Sequence, residues 1–419
     1  MATSIIIHCK NSINLSILQI FISKICLSHS FFLILQIKEQ EMMKIVYVVG
    51  GMLNPTGMGA ILSNKINWLA EHTDYEIHMI LTEKPDIPWC YDVNPKVKWV
   101  NFNINFDELD TMPFAKKVYH YFLKQRIYKK KFKDYLFSIR PDITISTIRR
   151  EINFVTSIKD GSKKIGEIHF VRDYYRNFNK PFLPKFINVL ISRIWMNSLI
   201  KQLKKLERFV ILTEEDSYNW PELSNKIVIP NFINEYHGVT ASLESKNVIA
   251  VGRYSPEKGF DLLMDTWAIV IQKHPDWKLN LFGTGDYEYY QNMANLKGIN
   301  HSFTCHPPTS AIYEEYKNSS IFVLSSRHEG FGLVILEAMS VGLPVVAFAC
   351  PSGPKALISN NSDGILVENG NINKLADGIC YLIENSDIRK KMGANAILKA
   401  KEYPKDIIMK KWVDLFESL

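Results

Sequence analysis

The second half of this 419-residue chain repeats one local pattern four times: a short apolar run, a glycine-bearing loop, and a return of helical spacing. The runs are Asn247 to Val251, Lys278 to Phe282, Ile321 to Leu324 and Gly342 to Phe348. Ile321 to Leu324 is apolar throughout, as a strand buried on both faces must be. Strands that alternate with helices build a parallel sheet and collect their loops on one edge, where ligands bind. A chain of this length is too long for one ordinary core and long enough for two. The expectation is an α/β protein with two doubly wound parallel-sheet (Rossmann-like) domains facing a cleft.

The loops carry the chemistry. After Leu324 come Glu329, Gly330, Phe331, Gly332 and Leu333, then Ile335, Leu336, Glu337 and Met339 at the spacing of a packed helix, with Glu337 placed about two turns in. Free N–H groups and the positive dipole end of such a helix favour an anion, and glycine lets a phosphate or sugar approach the backbone. Glu329 is suited to accept hydrogen bonds from ligand hydroxyls, or to cap the helix. The loop Gly252 to Phe260 holds Arg253 and Lys258 ahead of a helix expected from Asp261, two cations that suit a diphosphate. Gly283 and Gly285 form a short glycine turn after the Lys278 run, and Pro351, Ser352, Gly353 and Pro354 follow the last strand. No Asp-x-Asp pair occurs, so metal-independent chemistry is expected, with no cofactor.

Together these motifs resemble retaining glycosyltransferase family 4. The resemblance rests on Gly252-Arg253 with Lys258-Gly259, on Phe282-Gly283 with Gly285, on Glu329 to Ala338, and on Gly342 to Phe348; it covers about residues 44–419. It implies the GT-B arrangement, with Glu329 against the donor sugar and Glu337 on the nucleotide ribose. Arg253 and Lys258 would clasp the diphosphate, and the amides of Gly330, Phe331, Gly332 and Leu333 would face sugar and phosphate. In the first half, Lys44 to Val49 reads as a strand entering a loop with Gly51, Gly57 and Gly59, ahead of a helix with Ile61, Leu62, Ile66 and Leu69 on its apolar face. The resemblance places that loop near the diphosphate and acceptor, and makes His169 a candidate beside the reaction centre. It implies transfer of a hexose or N-acetylhexosamine, from a UDP-sugar, to a hydroxyl of a glycan or lipid-linked acceptor in bacterial surface polysaccharide. A nucleotide-sugar epimerase or phosphorylase on the same scaffold, or a non-catalytic subunit, are the alternatives; all three of Glu329, Arg253 and Lys258 are present.

The expected division is an extension at 1–41, either an anchor or a misassigned start, then domains at 42–235 and 245–403. A final helix, 404–419, would cross back to the first domain. Charge is uneven: residues 1–240 hold 32 Lys and Arg against 23 Asp and Glu, while the remainder is slightly acidic, within a net charge of +7. Much of the excess lies in Lys116 to Lys133 and Phe182 to Leu206, where it alternates with aromatic residues. Such helices suit an anionic membrane surface and no nucleic-acid module accompanies them, so a cytoplasmic protein peripheral at the inner face of the plasma membrane is expected. The six cysteines show no metal or disulfide-framework spacing, in keeping with free thiols.

Overall fold

Ile45 to Val49 forms the centre of the first strand, each side chain at most 1% exposed. The computed structural model describes residues 42–50, 56–83, 90–176 and 184–419. The 1–41 extension and Gly51 therefore lie outside the described residues, as does the start of the second basic stretch at Phe182.

Seven strands make the N-lobe sheet: β1 (Lys44–Gly50), β2 (Glu76–Leu81), β3 (Lys98–Asn101), β4 (Ile143–Ser146), β5 (Lys163–Glu167), β6 (Arg208–Ile211) and β7 (Lys226–Val228). They run parallel in the order β3-β2-β1-β4-β5-β6-β7. Six make the C-lobe sheet: β8 (Asn247–Val251), β9 (Lys278–Phe282), β10 (Phe303–His306), β11 (Ile321–Leu324), β12 (Val345–Phe348) and β13 (Gly364–Val367). These are also parallel, in the order β10-β9-β8-β11-β12-β13. Both sheets thus reverse direction beside their first strand, at β1/β4 and β8/β11, and open a crevice at the carboxyl ends of those strands.

The apolar periodicities become buried helix faces. Helix Gly57–His72 buries Ile61, Leu62, Ile66 and Leu69, and helix Phe260–Lys273 buries Phe260, Leu263, Met264, Trp267 and Val270. Each large side chain so covered contributes about 1.5–3 kcal/mol of transfer free energy. The last helix, Lys405–Glu417, returns to the N-lobe. Its Asp406 accepts a 2.7 Å bond from Trp68 Nε1, and Lys65 places its ammonium 3.7 Å from the centroid of the Trp412 ring.

The two basic stretches form helices Phe114–Ile139 and Lys185–Leu203. Tyr128, Phe132, Leu136 and Leu199 face the core, but Tyr119, Phe122, Phe186, Leu190, Ile194 and Trp195 are exposed. The apolar residues of these helices are therefore only partly used for packing. No helix among the described residues is long and apolar enough to cross a membrane.

Candidate functional site

The C-lobe crevice is lined by the loops that leave β8 and β11. Gly259, in the left-handed region at φ +63°, allows them to touch: a Cβ there would lie 2.2 Å from the Ser325 carbonyl oxygen. The loops are then cross-bonded. Ser325 Oγ donates to the Lys258 carbonyl at 2.9 Å, and the Arg327 N–H donates to the Glu257 carbonyl at 2.8 Å. The Arg327 guanidinium forks onto Asp261 at 2.9 and 2.7 Å, a bidentate pair that fixes geometry as well as charge.

This frame sets Lys258 Nζ 2.5 Å from Glu329 Oε2, both side chains under one-fifth exposed. Ser326 Oγ adds a longer bond of 3.4 Å to the same carboxylate oxygen. The Glu329 backbone is pinned separately, its N–H donating to the Pro351 carbonyl at 2.9 Å and its carbonyl accepting from the Gly353 N–H at 3.0 Å. Gly332, at φ +90°, turns the chain into helix Leu333–Ser340. The helix starts there and not nearer Glu329, so Glu337 is its fifth residue, little more than one turn in rather than two. Burial raises the Glu337 carboxyl above the ordinary carboxylate range, opposed by a 3.2 Å hydrogen bond from the Tyr316 hydroxyl.

Arg253 lies on the same loop as Lys258 but is exposed, its guanidinium 2.5 Å from Glu257. Gly283 and Gly285 have packing explanations. A Cβ on Gly283 would collide with the Gly252 carbonyl at 1.7 Å, and Gly285, at φ +112°, lies against Tyr254. The Phe331 side chain is in the core beside Tyr403, which leaves only its backbone for a ligand.

The lobes meet at this loop. A Cβ on Gly330 would sit 2.6 Å from the His169 carbonyl oxygen, so glycine admits the N-lobe segment beside Glu329. Tyr174 stacks on His328 with centroids 3.6 Å apart. The Cβ direction of Gly57 points to Leu333, 3.5 Å away. Gly59 has a different duty: its N–H donates to the capping Thr56 hydroxyl at 3.0 Å and its α-carbon packs on Tyr91.

His169 belongs to a buried network that no local sequence signal marks. Its Nε2 is 3.2 Å from Glu167 Oε1, close enough for an ion pair but without hydrogen-bond geometry. Glu167 also pairs with Lys65, which in turn lies over Trp412. Burial alone would push the Glu167 carboxyl up, but Lys65 and His169 outweigh it and hold the group at about 2. Only the fold brings together residues 65, 167, 169 and 412. A cavity of about 770 Å³ lies beside β13, lined by Ile365, Gly378 and Tyr381, and touches none of the candidate residues.

Residues 233–399 match the family described as "Glycosyl transferases group 1". A protein of Haemophilus influenzae named as an uncharacterized glycosyltransferase is 34% identical over 228 residues, 52% of this chain and 64% of its own length. The Staphylococcus aureus poly(ribitol-phosphate) alpha-N-acetylglucosaminyltransferase is 29% identical over 226 residues, 52% of this chain and 46% of its own. The chain thus spans less than two thirds of the length of these relatives. Among solved structures, S. aureus TarM, determined with fondaparinux, alpha-GlcNAc-glycerol and UDP, superposes with a TM-score of 0.68 at 18% identity, covering 90% of this chain and all of that one. That likeness concerns the fold, which is GT-B: two Rossmann-like lobes with a returning C-terminal helix.

Proposed function

We propose that this chain, whose C-lobe carries the glycosyl transferases group 1 match, is a retaining family 4 glycosyltransferase. In this reading it moves a hexose or N-acetylhexosamine from a UDP-sugar to a hydroxyl of a surface glycan or its lipid-linked precursor. The observation that carries the reading is the Lys258–Glu329 pair at the C-lobe switch point, directly before the N-terminus of helix Leu333–Ser340.

The residues divide the work as follows. Lys258 leaves Glu329 in part to neutralise the departing diphosphate, aided by the first-turn amides that include Leu333. Glu329 is then free for the donor sugar's hydroxyls, and Glu337 for the ribose. Arg253 exchanges Glu257 for phosphate oxygens. With preorganised cations and amides on the leaving group, departure needs no metal, and the leaving phosphate takes the proton of a hydroxyl attacking from the same face. The names of relatives that act on poly(ribitol-phosphate) and in amylovoran biosynthesis support a cell-surface polysaccharide product, and TarM and an Anabaena neighbour were each solved with UDP bound.

A thermal-shift panel of UDP, GDP, ADP and CMP tests this. UDP at a hundredfold excess over its Kd is expected to stabilise the fold by about 2.7 kcal/mol, and Lys258→Ala or Arg253→Ala to remove most of that. A nucleotide response equal across bases, or untouched by either substitution, counts against the assignment. An epimerase would convert the UDP-sugar without an acceptor, and a phosphorylase would require free phosphate.

The exposed aromatic and basic faces of helices Phe114–Ile139 and Lys185–Leu203 support peripheral binding to anionic bilayers, where aromatic side chains enter the interface and lysines meet headgroups. Co-sedimentation with vesicles containing phosphatidylglycerol is expected to fall several-fold in a Phe122→Ser, Trp195→Ser double variant and in high salt. Retained binding of the double variant to those vesicles would remove these helices from the membrane contact.

A further inference from the structure

Three polar atoms meet at the N-lobe switch point without hydrogen-bond partners among the described residues: Glu83 Oε2, the Tyr128 hydroxyl and Arg149 Nε. They line one cavity of about 160 Å³, with Met58, Phe106, Asp107 and Arg150 in its walls. Tyr128 is 1% exposed, and Phe102, Phe106, Phe132 and Phe154 hold its ring edge to face. Its hydroxyl therefore has no route to bulk water except through the cavity. Each buried polar atom left unpaired costs about 1–3 kcal/mol, and a convergent set of them calls for an explanation. A ligand that satisfies all three at once supplies one.

The atoms specify its chemistry. A carboxylate oxygen, a hydroxyl and an N–H donor in one cavity ask for groups that both donate and accept, which hydroxyls do. The walls hold three carboxylates, Glu83, Asp107 and Glu151, against two guanidiniums. Arg150 is already engaged, 3.7 Å from Glu83 and over the Phe106 ring at 4.4 Å. Burial and Asp107 both raise the Glu83 carboxyl, opposed by Arg150, as expected in a locally acidic site. A phosphate would meet repulsion there and a neutral polyol would not. The volume matches about five waters at the liquid value of about 30 Å³ each, the scale of one sugar ring.

We propose that this cavity binds a single neutral hexose or hexosamine ring, in preference to a phosphate-bearing polyol. It lies beside Met58, next to the Gly57 that faces Leu333, so its occupant sits one loop away from the candidate donor amides. The proposal rests on the transferase reading only in naming that ring the acceptor's terminal unit.

Saturation-transfer NMR on the full chain with UDP present tests it, using methyl glucoside, methyl galactoside, methyl N-acetylglucosaminide and, as the charged control, glycerol 3-phosphate. At least one glycoside is expected to bind, and Tyr128→Phe and Glu83→Gln each to weaken it about tenfold. Because Tyr128→Phe removes a hydroxyl that bonds to nothing in the empty protein, its melting temperature is expected to be no lower than that of the parent. Absence of glycoside binding to the parent, binding indifferent to both substitutions, or preference for glycerol 3-phosphate each overturns the proposal. Loss of the UDP response is a separate outcome: it defeats the transferase reading while the glycoside result stands or falls on its own.

Discussion

Glu329→Ala is expected to lower sugar-transfer turnover by about a hundred- to a thousandfold, the range seen when one preorganised electrostatic partner of a transition state is deleted. The fold should survive. The Glu329 backbone is held by Pro351 and Gly353 through main-chain bonds that alanine retains, and the side chain reaches solvent. Nucleotide affinity should also survive, because Lys258 loses its competitor for phosphate. The measurements are kcat with a UDP-sugar and acceptor, beside the melting temperature with and without UDP. Near-normal turnover would take Glu329 out of the site. A collapse in melting temperature would instead make the Lys258–Glu329 pair a structural ion pair, since a loss of fold explains any loss of rate.

Lys65→Met is expected to have the largest effect on stability, about 3–5 kcal/mol, or on the order of 10 °C in melting temperature. Lys65 and Glu167 are both fully buried, so removing the ammonium leaves a carboxylate in the interior with only His169 beside it. The pH dependence identifies the cause. In the parent, Glu167 is held at about 2 against an ordinary 4.5. A depressed carboxyl contributes stability above its unfolded value and loses it as pH falls through the folded one. The contribution is therefore complete above about 4.5 and fades toward 2. In Lys65→Met a protonated Glu167 no longer needs a partner, so the deficit should narrow as pH is lowered, and Glu167→Gln in the same chain should restore much of it. Urea titrations at neutral and acidic pH give the comparison; a deficit that is constant with pH would point to lost packing on Trp412 instead of an unpaired charge.

The two predictions differ in how far the sequence alone could support them. Lys258 and Glu329 are legible as candidates because each sits in a glycine loop between an apolar run and a helical period, a signal confined to about a dozen residues. The same locality made the strands, the alternation and the α/β class readable. Local pattern misjudged the depth of Glu337, since the loop holds its left-handed turn at Gly332 and delays the helix. It gave no reason to single out Lys65, Glu83, Tyr128 or Arg149, which read as ordinary residues of a helix, a loop and a basic stretch.

What the sequence by itself determined is the set of elements and the chemical content of the loops, because backbone periodicity and glycine placement act over neighbouring residues. What only the tertiary structure decided is which of those groups share an environment. Lys258 meets Glu329 across 71 residues and Lys65 meets Glu167 across 102, through strand order at the two switch points. The shifts, the buried pairs and the unpartnered atoms of the N-lobe cavity all follow from burial, and burial is a property of the whole packed chain.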